Sequence, residues 1–356
     1  MGLADAARSH DLRVAVVGLG WVGTHRHLPW LKRTPGVRVV GVVDHTPGRV
    51  ERSRAAFAVE RGAVADGPEG IPWLGEVDAV SIATPPATHH PLALAYLNAG
   101  KDVLLEKPMA LTVNDARELV EAAEKLGRML AVVHNFQFAR SVIRLRRLLA
   151  QGRLGDVHAV WGAQLSNPRR RLPEWYESLP LGLFFDESPH FFYLVRSILE
   201  AEPELELAHL VPGRAGKRTP AAITLLMRAG EIPVQISMNF EAPVSEWHLT
   251  VIGSRGLAVI DVFRDVLVLV RNDREHLARH IVTTTAGAVG SHLMGVGRSG
   301  VRLALGRLAY GNDIVMARFA EACRTRIAPS GISARDGLEV VRLQRAVLDR
   351  VDAAVP

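Results

Sequence analysis

The chain has 356 residues, 48% of them hydrophobic and 22% charged, with a formal net charge of +6. That length suits two globular domains. The single cysteine, Cys323, excludes an internal disulfide framework and fits a reducing cytoplasm. The opening MGLADAARSHDL lacks the apolar core of a secretory signal, and no apolar run reaches membrane-span length. The arginines are dispersed, most reading as solvated helix faces, and no nucleic-acid-binding motif stands among them.

In chain order, RVAVVGLG predicts an apolar strand ending in glycines, and THRHLPWLKR a helix. VRVVGVVD is a second strand, GRVERSRAAFAVE a helix, DAVSIATPP a third strand, and HPLALAYLNAG a helix closed by Gly100. DVLLEKP is a fourth strand, TVNDARELVEAAEKLG an amphipathic helix closed by Gly127, and MLAVVHN a fifth strand. Apolar strands alternating with helices imply a doubly wound parallel sheet. Beyond about Asn135 the grammar changes. SVIRLRRLLAQG reads as a helix leading into DVHAVWGAQLS, followed by the strand-like AAITLLMRAG, IPVQISMNF, EWHLTVIGSRG and LAVIDVFRDVLVLVR. These suit an open, mostly antiparallel sheet. IVMARFAEACR and ARDGLEVVRLQRAVLDRV close the chain as two helices. The expected fold is α/β: an N-terminal Rossmann domain over 1–136 and a C-terminal α+β domain over 137–356.

Gly18, Gly20 and Gly23 form G-x-G-x-x-G between the first strand and its helix, with Trp21 and Val22 inside the loop. The second strand ends in Asp44, with His45 next. A strand, this loop, a helix and a downstream acid make a dinucleotide-binding unit. Gly18 permits the tight turn, Gly20 lets the backbone approach a pyrophosphate, and Gly23 allows close helix–strand packing. Asp44 suits a ribose diol and repels a 2′-phosphate, favouring NAD; Arg49 offsets part of that charge and leaves NADP as the alternative.

Glu106, Lys107 and Pro108 end the fourth strand. Ligands of parallel sheets gather at the carboxyl ends of strands. An ammonium there can hold a substrate hydroxyl and stabilise a developing alkoxide; the alternative is a surface lysine paired with Glu106. Thr84 and Pro85 end the third strand at the same edge and would wall the ribose and nicotinamide. His89 is either a cofactor-side contact or simply a helix-start residue. Farther on, LPLGLFFDESPHFFYLV sets Asp186 and His190 four residues apart in an apolar run. Asp186 reads as an N-cap with Pro189 in the first turn, and residues at i and i+4 share a helix face. An N-cap aspartate beside a satisfied core histidine is the alternative on local sequence alone.

The glycine loop with its acid, E-K-P and D-x-x-x-H together resemble the Gfo/Idh/MocA oxidoreductases, the glucose–fructose oxidoreductase and inositol dehydrogenase group. The resemblance spans nearly the whole chain. It implies a nicotinamide cofactor, a substrate-binding C-terminal domain whose sheet often packs in an oligomer interface, and hydride transfer at a secondary alcohol or ketone of a sugar, cyclitol or nucleotide sugar. It places the catalytic lysine, aspartate and histidine on Lys107, Asp186 and His190, and the threonine-proline wall and its histidine on Thr84, Pro85 and His89. In that setting His190 is the candidate acid/base, Lys107 stabilises the alkoxide-like oxygen, and Asp186 orients the imidazole or binds a neighbouring hydroxyl. A homo-oligomer is expected.

Three departures bear on the substrate. Phe136, Gln137 and Phe138 stand where many relatives have Arg-Phe, Leu181-Gly182 replaces a glycine pair, and Glu187 adds an acid beside Asp186. Candidate substrate contacts are Asn135, His190 and, in the loop SNPRRRLPEWYESLPLGLF, Asn167, Arg169, Arg170, Arg171, Trp175 and Tyr176. Arginines suit a phosphate or carboxylate and rings suit a sugar or base; an exposed basic loop that contacts nothing is the alternative. Residues 291–313, SHLMGVGRSGVRLALGRLAYGND, read as a covering segment, an oligomer contact or an interfacial amphipathic piece. His276 and His280 have no cysteine or carboxylate set around them, so no metal is expected. Competing functions are a cofactor-binding sensor without turnover, a reductase of an imine or enone, and a dehydrogenase of another diol.

Overall fold

The computed structural model describes residues 11–352. Strand β1 (Leu12–Val17) leads into one π-helical turn and helix α1 (Leu28–Leu31); β2 (Val37–Asp44), α2 (Pro47–Phe57), β3 (Arg61–Val64), β4 (Ala79–Ile82), α3 (His89–Asn98), β5 (Asp102–Leu105), α4 (Val113–Leu126) and β6 (Leu130–Val132) follow. They form a parallel sheet of order β3-β2-β1-β4-β5-β6. The order reverses between β1 and β4, so the carboxyl ends of these two strands open the crevice where doubly wound folds bind ligands. Five of the six strands coincide with the apolar runs of the sequence. The exception is β3, an edge strand that fully buries only Ala63 of its four residues and so carries no apolar run.

The chain continues with α5 (Arg140–Ala150), β7 (Val157–Leu165), α6 (Leu183–Leu199), β8 (Pro203–Val211), β9 (Ala222–Ala229), β10 (Ile232–Asn239), β11 (Glu246–Gly253), β12 (Gly256–Asp261), β13 (Val266–Arg271) and α7 (Ala278–Ala304). The second sheet runs β13-β12-β11-β7-β10-β9-β8, antiparallel throughout except for the parallel pair β7–β10. β8, PELELAHLV, also escaped the sequence reading; it lies at the sheet edge and its glutamates break the apolar pattern. Helix α6 approaches β7 closely: at Gly162 a Cβ would lie 2.6 Å from the Phe191 ring.

Two helices close the chain, α8 (Asn312–Thr325) and α9 (Ala334–Asp352). Compactness divides the described chain into 11–134 with 312–341, and 135–311 with 342–352. This departs from the simple division at 136. The physical tie is Arg326, whose guanidinium donates to both oxygens of buried Asp102 on β5 at 2.7 and 2.8 Å. A bridge between Ala131 and Ser333 and the close seating of Gly337 on Met109 and Val132 complete it.

Helix α6 starts differently from the expectation. Its N-cap is Gly182, at φ +54°, and the first N–H, of Leu183, donates to Thr219 Oγ1 at 3.0 Å. A Cβ on Gly182 would meet that hydroxyl at 2.1 Å. Asp186 is therefore not the N-cap but sits within the first turn, and Pro189 lies inside the helix. An interior proline cannot donate to the carbonyl four residues back. That carbonyl, of Phe185, instead accepts from Gln344 Nε2 at 2.7 Å. Among the described residues no helix is long and apolar enough to cross a membrane, and no group of three or more His, Cys, Asp or Glu could hold a metal ion.

Candidate active site

The first unit gathers the glycine loop, Asp44 and Lys107 at the carboxyl edge of its sheet. Gly18 adopts φ +89°, and a Cβ there would press on the carbonyl of Ala83 at 2.6 Å; a Cβ on Gly23 would strike the Gly18 carbonyl at 2.0 Å. These are the tight turn and the helix–strand approach. Nothing lies within 4 Å of the Cβ position of Gly20, so the backbone there is open to a ligand. Trp21 is exposed and stacks on His25 at 5.2 Å, with the Arg26 guanidinium 5.0 Å over its ring. Val22 lies half-buried beside it.

Asp44 is 4% exposed. Its two oxygens accept from the N–H of Leu19 in the loop and of Thr46, each at 2.8 Å. Arg49 and His45 approach to 3.6 and 3.7 Å. Burial pushes this carboxyl upward, but the two N–H donors, the Thr46 hydroxyl and Arg49 outweigh it and hold the acid below its ordinary range. An ionised carboxylate retains acceptor sites beyond the two in use, which suits a ribose diol. The residues present therefore fit a nicotinamide dinucleotide.

Two buried histidines brace the neighbouring strand ends. His27, in the π-helical turn, places Nδ1 at 2.7 Å from Ser81 Oγ and Nε2 at 2.9 Å from Glu106 Oε1, while Glu106 Oε2 accepts from the Lys107 N–H at 3.1 Å. Burial raises the Glu106 carboxyl, yet His27, Lys107 and His89 overcome it and leave the acid below its usual range. His89 is fully buried; its ring nitrogens lie 2.7 Å from the Pro108 carbonyl and 2.9 Å from that of Thr84. Burial lowers its pKa against the pull of those carbonyls. His89 thus ties two strand-end loops together, and Glu106 acts on the backbone of Lys107. Thr84 is half-buried and Pro85 exposed at the same edge. Ser81 and His27 were not foreseen. Their only sequence sign is a histidine within the helix that follows the glycines.

The second unit builds an aromatic enclosure around His190, which is 9% exposed. Phe136 meets its ring at 4.8 Å, Trp247 at 5.2 Å and Tyr193 at 5.5 Å, all edge to face. His190 Nδ1 lies 2.6 Å from the Tyr193 hydroxyl. That hydroxyl accepts from the Phe136 N–H at 3.1 Å and stands 3.4 Å from Asn135 Oδ1. Asn135 Nδ2 donates to the Tyr310 carbonyl at 3.0 Å, which turns its oxygen toward Tyr193. When Tyr193 donates to Asn135 it accepts Nδ1–H, and the imidazole then carries its lone pair on Nε2. Asn135 therefore supports the Tyr193 hydroxyl that holds the histidine. Asp186 is half-buried one turn earlier on the same helix. Tyr193 and Trp247 went unread in the sequence, although Tyr193 stands at i+3 from His190.

In the arginine loop, Arg170 pairs with Glu187, which also accepts from Gln164 Nε2 on β7. The extra acid beside Asp186 thus anchors the loop. Asn167 spends its side chain there too, donating to the Pro243 carbonyl at 2.7 Å and accepting from the Arg169 N–H at 2.9 Å; it is a turn residue. Arg169 and Arg171 are exposed, and Trp175 and Tyr176 half-buried. Burial and neighbouring Glu177 raise the Tyr176 pKa.

Residues 12–134 match the Gfo/Idh/MocA oxidoreductase family, NAD-binding Rossmann fold, and residues 142–259 match the Gfo/Idh/MocA C-terminal domain. The uncharacterized oxidoreductase YdgJ of Escherichia coli is 32% identical over 212 residues, 58% of this chain and 59% of that protein. D-glucoside 3-dehydrogenase of the same organism is 31% identical over 174 residues, 49% of this chain and 48% of that protein. Myo-inositol 2-dehydrogenase of Thermotoga maritima is 27% identical over 269 residues, 74% and 79% of the two chains. The chain thus spans about half the length of the first two relatives. The crystal structure of GenD2 from gentamicin A biosynthesis, in complex with NAD, superposes with a TM-score of 0.76 at 22% identity, covering 96% of this chain and 95% of that one.

Proposed function

Because the chain belongs to the Gfo/Idh/MocA oxidoreductase family, we propose that it is an NAD-dependent dehydrogenase interconverting a secondary alcohol and a ketone on a cyclitol or sugar. The observation that carries this reading is the setting of His190: an imidazole enclosed by Phe136, Trp247 and Tyr193, with Nδ1 held by a hydroxyl. In oxidation Nε2 accepts the substrate hydroxyl proton while Nδ1–H stays on Tyr193; in reduction the proton returns. The ammonium of Lys107 stabilises negative charge on the alcohol oxygen as the proton leaves. Asp186 binds a neighbouring hydroxyl, since Tyr193 already occupies Nδ1. Gly18, Gly20, Gly23 and Asp44 hold the dinucleotide, and bound NAD supplies the hydride acceptor. The named activities of the inositol and glucoside dehydrogenases support the polyol class. The exposed guanidinium groups of Arg169 and Arg171 favour, within that class, substrates bearing an anionic group, such as sugar acids or nucleotide sugars.

The test is a panel of myo-inositol, glucosides, uronic acids and nucleotide sugars incubated with NAD or NADP, following absorbance of the reduced nicotinamide. Turnover with at least one polyol, and higher kcat/KM with NAD than NADP, is expected. No turnover across the panel with either cofactor, despite measured NAD binding, contradicts it and favours a sensor.

A further inference from the structure

Helix α7 reverses the usual arrangement of a surface helix, which buries its apolar stripe. Toward the body of its unit it presents Thr284, Ala288, Ser291, Gly295 and Ser299, all half-buried or buried. The approach is close: a Cβ on Gly295 would lie 2.5 Å from Val266, and Ser299 Oγ reaches the Asp265 carbonyl at 3.4 Å. The large apolar residues face away. Leu293 is 66% exposed, and Val282 and Leu303 are each 65% exposed.

The outward residues also follow a pattern. Val282, Ala286, Val289, Leu293, Val296, Gly300 and Leu303 alternate steps of four and three along the helix. That is the spacing of a seam that pairs with another helix. Sizes along the seam are palindromic about Leu293: Val289 and Val296 flank it, then the small Ala286 and Gly300, then the large Val282 and Leu303.

We propose that this face is covered by α7 of a second copy of the chain, the two helices running antiparallel about a two-fold axis at Leu293. A two-fold contact brings each residue against its mirror position. Leu293 then meets itself and small Ala286 meets small Gly300, while Val289 and Val296, and Val282 and Leu303, each come within one residue of the other's mirror position. From His280 to Gly297 the helix carries no Asp, Glu, Lys or Arg. Depletion of charge marks the core of a protein interface, whereas a helix lying on lipid carries Lys and Arg along its polar face. The 27 residues span about 40 Å, at a helix diameter of about 10 Å. That places the pair near the ~1,000 Å² that separates specific interfaces from incidental contacts, as for a reversible dimer.

Two variants of the full chain test this. Leu293→Cys brings two thiols together at the axis, while the chain's own Cys323 is buried. Mild oxidation is expected to yield a disulfide-linked dimer far faster than Thr283→Cys, an exposed position off the seam. Leu293→Glu sets two carboxylates opposite each other. In sedimentation velocity its dimer dissociation constant should rise about tenfold or more, with NAD affinity unchanged as proof of an intact fold. Cross-linking of Leu293→Cys no faster than the control, or a Leu293→Glu variant that self-associates like the wild type, overturns the proposal. So does a monomeric wild type that pellets with vesicles of phosphatidylcholine and phosphatidylglycerol, which would assign the face to lipid.

Discussion

Asp44 and His190 are both nearly buried, 4% and 9% exposed, yet their surroundings differ. Asp44 is fixed by main-chain N–H groups of the glycine loop and of its own turn. Those donors come with the motif, so the site is written locally and stays ionised against burial. His190 is fixed by side chains: Tyr193 on its own helix, then Phe136, Asn135 and Trp247 from other segments. A backbone cradle can recur wherever its glycines do; an aromatic enclosure must be assembled by the fold. Cofactor binding and proton transfer should therefore fail separately.

The sharpest break comes from Lys107→Met. Losing the ammonium is expected to lower kcat by about 10²–10³-fold while NAD affinity, measured by titration calorimetry, stays within a few-fold. An equal loss in both would place the lysine in the cradle alone. Asp44→Ala should do the reverse, weakening NAD binding by roughly 10- to 100-fold, the worth of hydrogen bonds to a charged group, and raising relative activity with NADP. Tyr193→Phe keeps the ring and removes the hydroxyl; a fall in kcat of roughly five- to tenfold is expected for one lost hydrogen bond, with no change in NAD affinity.

The smallest effect concerns acid stability of the first unit. Asp44, Asp78 and Glu106 all titrate below their ordinary values in the folded chain. A carboxyl with a depressed folded pKa stabilises the fold above its unfolded value, about 4, and that contribution is lost as pH falls through the folded value. Thermal unfolding followed from pH 7 downward should show stability dropping below about pH 4. The drop should be shallower in Asp44→Asn, which has no charge there to lose; identical slopes would remove Asp44 from the account.

What the sequence made legible follows the same divide. The glycine loop, Asp44, the E-K-P turn and the doubly wound order were readable because each depends on residues close in the chain. β3 was not, because an edge strand needs only one buried side chain. The start of α6 was misread at Asp186 because the hydrogen bond that caps it, from the Leu183 N–H to Thr219, joins residues 36 apart. The protein partners of Asn167 and Asn135 were not legible, because a polar side chain shows nothing of its partner until the chain folds. Here the partners are the carbonyls of Pro243 and Tyr310. His89 drew attention for its position and proved to be a brace for the same reason.

The most direct measurement compares polyol-dependent NADH formation and NAD affinity in the wild type and in His190→Ala. The variant is expected to bind NAD as the wild type does and to lose about 10²–10⁴-fold in turnover, with part of the rate returned by added imidazole. A His190→Ala enzyme that oxidises the same polyol at the wild-type rate would contradict the role given to His190.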